Sequence, residues 1–231
     1  RQSYSTLQNL LEDSSLQYDY IPGPEPDAGQ LKGNYSVVFL PYTLSLSKKS
    51  LRALEEFVAD GGLVVADHIP GKYDDLFCPG PERILAERFA DNAKDWLLYD
   101  WKSYSKVRSK EKEGRDTRNA FIAMLEPYKQ SYTKLQEGGI VNVEKIEYQM
   151  PDGGILIALI NYQKETKDAQ LFIPAGKVLY DIRNEEKLSA NDVYNFTLSG
   201  GNVKIFAMLD KEINKAKIKK PRTVKTGKSF K

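Results

Sequence analysis

Residues Tyr35–Gly71 constrain the fold more than any other stretch. YSVVFLPYTLSLS reads as a buried strand running into a proline turn, and KKSLRALEEFVADGG as an amphipathic helix stopped by two glycines. LVVADHIPG then reads as a second buried strand opening into a loop. Short apolar runs separated by a helical period define a βαβ unit, and with it a parallel sheet covered on both faces. Ligands and catalytic groups of such sheets sit at the carboxyl ends of the strands. Here Pro41–Ser45 and Asp67–Gly71 fill those places.

The rest of the chain divides by period. Ser5–Asp13, with Leu7, Leu10 and Leu11, suits a short helix, Gln17–Ile21 a strand, and PGPEPDAGQLKGN a turn-rich connection. Ser47 can cap the helix whose inward stripe is Leu51, Leu54, Phe57 and Val58. Pro81 opens a helix through Ile84, Leu85 and Phe89, and Asp95–Tyr99 is a further strand. Asp100–Gly114 reads as a loop before a helix through Phe121, Ile122, Met124 and Leu125. From about Gly139 the period changes to two. Asp152-Gly153-Gly154 makes a hairpin turn into ILIALINY, with later strands at Ala169–Ile173, Lys177–Asp181, Asn195–Leu198 and Val203–Leu209. Short strands without helices indicate a small antiparallel sandwich. The expected organisation is an α/β domain at 1–138, a β-sandwich at 139–210 and a basic linker at 211–231. A doubly wound sheet opens with a central strand, whereas this chain opens with a helix, so that strand is expected upstream in a longer protein.

Charge narrows the partners. Residues 211–231 hold nine Lys or Arg against the single acid Glu212, which leaves 25 basic and 31 acidic residues, a charge of −6, on residues 1–210. An acidic body repels phosphates, so nucleic acid is not an expected partner. No apolar run reaches the roughly 18 residues needed to span a bilayer. The one cysteine, Cys78, rules out an internal disulfide or a cysteine metal cluster.

Candidate chemistry is sparse. The elbow where an amidotransferase-like fold places its nucleophile falls among Ala66, Asp67, His68 and Ile69, which include no Cys or Ser. Cys78 sits before Pro79, a poor elbow, and the single histidine, His68, is ten residues away. A dyad of the two competes with a buried thiol and a loop histidine. Asp67, Asp74 and Asp75 could complete a metal shell only loosely, and Asp67 and His68, alternating across a strand end, would point apart. Among the aromatics, Trp96 is expected in the core. Trp101 and Tyr104 lie past the strand, where they can pack internally, meet a subunit or domain, or stack on a ligand.

The segment VVFLPYTLSLSKKSLRALEEFVADGGLVVADHIPGKYD resembles the trimerisation domain of family-42 β-galactosidases and related glycoside hydrolases, a flavodoxin-like or amidotransferase-like module. WLLYDWKSYSKVRSKEKEGRDTRNAFIAML is similar to that module's last strand, its Tyr-x-x-x-Arg segment (Tyr104, Arg108) and its final helix. Residues 143–209 resemble the small β domain that follows it, and IKKPRTVKTGKSFK the lead-in to an immunoglobulin-like domain. The resemblance implies a flavodoxin-like parallel sheet followed by a small antiparallel β-sandwich. It also implies that the catalytic glutamates belong to an upstream barrel of the same polypeptide, so no catalytic residue carries over. The expected role is non-catalytic packing of subunits or domains, with a homo-oligomer as one outcome. The alternative is a carbohydrate or small-molecule site built from Tyr42, Asp67, His68, Lys72, Trp101 and Tyr104. A hydrolase using Cys78 comes third. No cofactor or metal is called for, and the resemblance favours a bacterial periplasmic or extracellular setting over the cytoplasm.

Overall fold

The structure is a computed structural model that describes residues 2–21, 28–90, 95–128, 133–136, 138–188 and 192–213. The basic linker after 213 lies outside the described residues. The first half contains α1 (Gln2–Asp13), α2 (Ala28–Leu31), β1 (Val37–Leu40), α3 (Lys48–Ala59), β2 (Leu63–Ala66), α4 (Glu82–Ala90) and β3 (Trp96–Leu98). A 3-10 turn at Trp101–Ser103 leads to α5 (Tyr104–Val107) and α6 (Glu111–Leu125). The three strands are parallel in the order β1-β2-β3, with Val38 opposite Val64 and Val64 opposite Trp96.

Central β2 is buried along its whole length, which is why LVVA carries no polar residue. Leu54, Phe57, Leu85, Phe89 and Trp96 form the core on the α3/α4 face. On the other face, Leu7, Leu10 and Leu11 of α1 meet Val65, Trp101 and Phe121. Ser47 caps α3 by accepting the Ser50 amide at 3.0 Å. The sheet is therefore sandwiched between two helical layers.

Two expectations need correction. Gln17–Ile21 belongs to no strand ladder among the described residues. The stretch Asp100–Gly114 is not a loop but holds the 3-10 turn, α5 and the first turn of α6. Gly114 acts there as a contact residue and not as a helix breaker: a Cβ on it would stand 2.7 Å from the Val107 carbonyl oxygen.

From Lys134 onward the elements are strands: β4 (Lys134–Leu135), β5 (Val143–Gln149), β6 (Ile155–Asn161), β7 (Lys167–Phe172), β8 (Val178–Asp181), β9 (Glu186–Lys187), β10 (Val193–Leu198) and β11 (Val203–Leu209). They form antiparallel sheets in the orders β10-β7-β4 and β5-β6-β11-β8-β9. Leu135, Leu171 and Leu198 of the first sheet share a core with Val143, Ile157, Leu159 and Phe206 of the second, a small sandwich.

Candidate functional site

At the carboxyl end of the parallel sheet, Asp67 follows directly on β2. Its carboxylate is inaccessible to solvent, yet it accepts four hydrogen bonds. Ser3 Oγ of α1 donates at 2.5 Å, the Tyr42 amide at 2.9 Å, His68 Nδ1 at 2.7 Å and Lys102 Nζ at 3.0 Å. Burial works to raise the Asp67 pKa, but the donors from Ser3, Tyr42, His68 and Lys102 outweigh it and hold the group at about 2. An ionised carboxylate offers about four acceptor positions, and here all are used. Such a group organises its neighbours and makes a poor general base at neutral pH.

The neighbours form a layered assembly. Ser3 Oγ also accepts from Trp101 Nε1 at 3.0 Å, which joins the carboxylate to the core. Toward solvent, the half-exposed Tyr42 ring lies 5.2 Å from the His68 ring, and Lys102 Nζ stands 5.7 Å from the Tyr42 centroid. Tyr42 holds a left-handed φ of 48°, a conformation that costs energy in a non-glycine residue and is secured here by the hydrogen bond its backbone N–H donates to Asp67. His68 Nε2 is buried and has no hydrogen-bond partner among the described residues. Asp67 and His68 were expected to point apart. They meet because β2 ends at Ala66, so strand alternation no longer governs them.

Tyr104 joins a different group. It is fully buried, like Trp101, and neither ring offers a surface to an external ligand. The Tyr104 hydroxyl donates to Asp13 Oδ2 at 2.7 Å. Arg108 Nε donates to the same oxygen at 2.6 Å, and Nη2 donates to Asp13 Oδ1 at 3.0 Å. The Asn142 amide completes the set at 2.8 Å, while its side-chain oxygen accepts from Arg108 Nη2 at 2.7 Å. Arg118 reaches the Tyr104 hydroxyl and the Gly138 carbonyl. Burial and the adjacent Asp13 push the Tyr104 pKa well above its ordinary value. Asp13 thus binds the helical layer to the segment that leads into β5. Gly139 lies against it with φ 66°, and a Cβ there would fall 2.0 Å from the Asp13 carbonyl oxygen.

The remaining candidates lie apart. Lys72 makes its ring contact with Tyr73, and no contact joins it to the Asp67 group among the described residues. Asp74 Oδ1 accepts the Leu76 and Cys78 amides, a turn that leaves Cys78 exposed and unbonded to His68. No group of three or more metal-ligating side chains occurs among the described residues. None of their helices is long and apolar enough to cross a membrane. Sequence reasoning missed Ser3, Lys102, Asp13 and Asn142.

No family model matches the sequence, and no curated protein does. Solved structures do share the fold. An exo-carrageenase GH42 from Bacteroides ovatus aligns at 12% identity and TM-score 0.53, covering 89% of this chain and 26% of that one. A catalytic mutant of Gan42B, a GH42 β-galactosidase from G. stearothermophilus, gives 12% identity, TM-score 0.57, and coverage of 89% and 36%. Alpha-L-fucosidase isoenzyme 2 from Paenibacillus thiaminolyticus gives 14%, 0.53, and 90% and 45%. The chain therefore spans between a quarter and less than half of the length of these enzymes.

Proposed function

We propose that the chain is a non-catalytic accessory region of a larger glycoside hydrolase, an α/β unit at 1–138 joined to a β-sandwich at 139–210, serving subunit or interdomain packing. The observation that carries this reading is the pairing of coverages: fold likeness extends over 89% of this chain but over only 26% and 36% of two GH42 enzymes. The chemistry at the sheet's carboxyl end supports it, because Asp67 is saturated by internal donors. Exposed Tyr42, Leu76 and Phe77 in the loops after β1 and β2 give that end the apolar character of a contact surface. Light scattering on the parent enzyme, with and without residues 1–210, tests this. Fewer subunits per particle, or a lower melting temperature of the remaining enzyme, is expected with the catalytic carboxylates intact, and an unchanged subunit number together with an unchanged melting temperature would overturn the packing role.

A second reading is favoured by one observation, the half-exposed Tyr42 ring held between His68 and Lys102. Aromatic faces stack on sugar rings. On this reading Tyr42→Ala abolishes glycan binding by the chain and leaves its assembly unchanged, whereas on the first reading it weakens assembly.

A further inference from the structure

The outer edge of β1 is open. Leu63 donates its amide to the Ser36 carbonyl, so by the alternation of a parallel ladder Ser36, Val38 and Leu40 face β2. The backbone groups of Val37 and Phe39 then point to the other side, where no strand pairs with them among the described residues. Unlike β2, β1 is only partly buried over Val37–Phe39.

Beside that edge lies a cavity of about 750 Å³. Leu7, Leu11 and Leu125 line it from one helical layer and Leu31 and Leu54 from the other. Its fourth wall is the segment 16–21, and this segment alternates as a sheet strand would. Leu16 and Tyr18 pack with the α1/α6 core, as Val37 and Phe39 do, while Ile21 packs with the α3 core, as Val38 does. Segment 16–21 therefore lies in the plane of the sheet, separated from β1 by the cavity. Side chains hold it there: Gln17 Oε1 accepts the Glu147 amide at 3.0 Å, and the Tyr35 hydroxyl donates to Asp19 at 3.4 Å.

We propose that this slot is the seat of a further parallel strand of the same polypeptide, an apolar segment that leads into α1. Polarity and direction both identify it. A strand between 16–21 and β1 sends alternate side chains into two apolar layers, so it must be apolar at successive positions. Its carboxyl end must emerge beside Pro41, which lines the slot, and there α1 begins: Ser3 in the first turn bonds to Asp67, just past the end of β2. Strand-to-helix connections of a few residues are the rule in α/β units. With this strand in place the first strand becomes central, followed by α1, with 16–21 on one side and β1, β2 and β3 on the other. That is the doubly wound order. The inference needs a longer polypeptide, as the packing role does, but it does not need a glycosidase.

Amide hydrogen exchange on the 231-residue chain, and on the chain extended by the twenty or so residues that precede Arg1 in its parent, tests the proposal. The Val37 and Phe39 amides are expected to slow at least about tenfold in the extended chain, with residues 17–21 following. A second extended chain, carrying proline at the centre of the added segment, should lose that protection, because proline cannot donate to a ladder. Unchanged exchange, equal protection by the proline version, or a parent that starts at Arg1 overturns the proposal. So does protection of the unextended chain that rises with concentration alongside a dimer mass, which would make a second copy the occupant. A protected edge in a parent without a catalytic domain leaves this inference standing and removes the glycosidase reading; an unprotected edge in a glycosidase does the reverse.

Discussion

Asp13 and Asp67 are two solutions to one electrostatic problem. Each carboxylate is closed to solvent, and each takes two donors on each oxygen. Burial of a charge is tolerated only when hydrogen bonds replace the lost water, and both sites meet that condition. They differ in where the donors lead. Asp13 gathers Tyr104, Arg108 and Asn142, which tie α1 and α5 to the segment entering the antiparallel sandwich. Asp67 gathers Lys102, 41% exposed at its side chain, and His68, 26% exposed, whereas the side chains that donate to Asp13 are the fully buried Tyr104 and Arg108 at 25%. The first is an internal clamp between two parts of the chain. The second stiffens a surface, fixing the Tyr42 and His68 loops at the sheet's carboxyl end.

The largest effect expected of any substitution here is that of Asp13→Ala. It leaves the buried Tyr104 hydroxyl, the largely buried Arg108 guanidinium and the Asn142 amide without their acceptor. Breaking one side of a buried charged pair costs about 3–5 kcal/mol. Urea unfolding should show that loss together with a split into two transitions, since the clamp couples the helical half to the sandwich. A single transition within about 1 kcal/mol of the parent chain would remove the distinction between the two carboxylates.

The contrast also explains what could be read from the sequence. The βαβ unit and the hairpins around Gly153 were legible because their signals are local: apolar runs, caps and turn residues a few positions apart. Asp67, His68 and Tyr42 were legible as candidates because a parallel sheet directs attention to its strand ends. Ser3 and Lys102 were not, because they reach Asp67 from 64 and 35 positions away, and no local pattern records such a meeting. Asp13 did leave a trace: it falls three residues after Leu10, on the inward stripe of α1, where an acid must find buried partners. Gln17–Ile21 carries the alternation of a strand, and its side chains follow that alternation. Only the ladder is missing among the described residues, and the strand proposed for the slot beside β1 would supply it.

A smaller effect separates the sites by pH. With a folded pKa near 2 against an ordinary 3.8, Asp67 adds stability that is fully present above about pH 4 and lost as the pH falls toward 2. The contribution should be on the order of 1 kcal/mol, reduced from the bare shift because His68 and Lys102 border solvent. Thermal melts between pH 5 and 2 should therefore show an acid-dependent fall that flattens in Asp67→Asn. A fall of equal depth in that variant would assign the acid sensitivity to other carboxylates.

Lys102→Ala should have the least effect at neutral pH, a few tenths to about 1 kcal/mol, because an exposed ammonium gives up little when its ion pair is lost. Its consequence should emerge in acid. Without Lys102 one of the four donors that depress the Asp67 pKa is gone, so protonation begins at higher pH and the acid-dependent fall shifts upward. Small loss at pH 7 with an upward shift in acid is the signature of a surface-stiffening site. A loss comparable to that of Asp13→Ala would instead make Asp67 a second clamp, with Lys102 playing the part that Arg108 plays at Asp13.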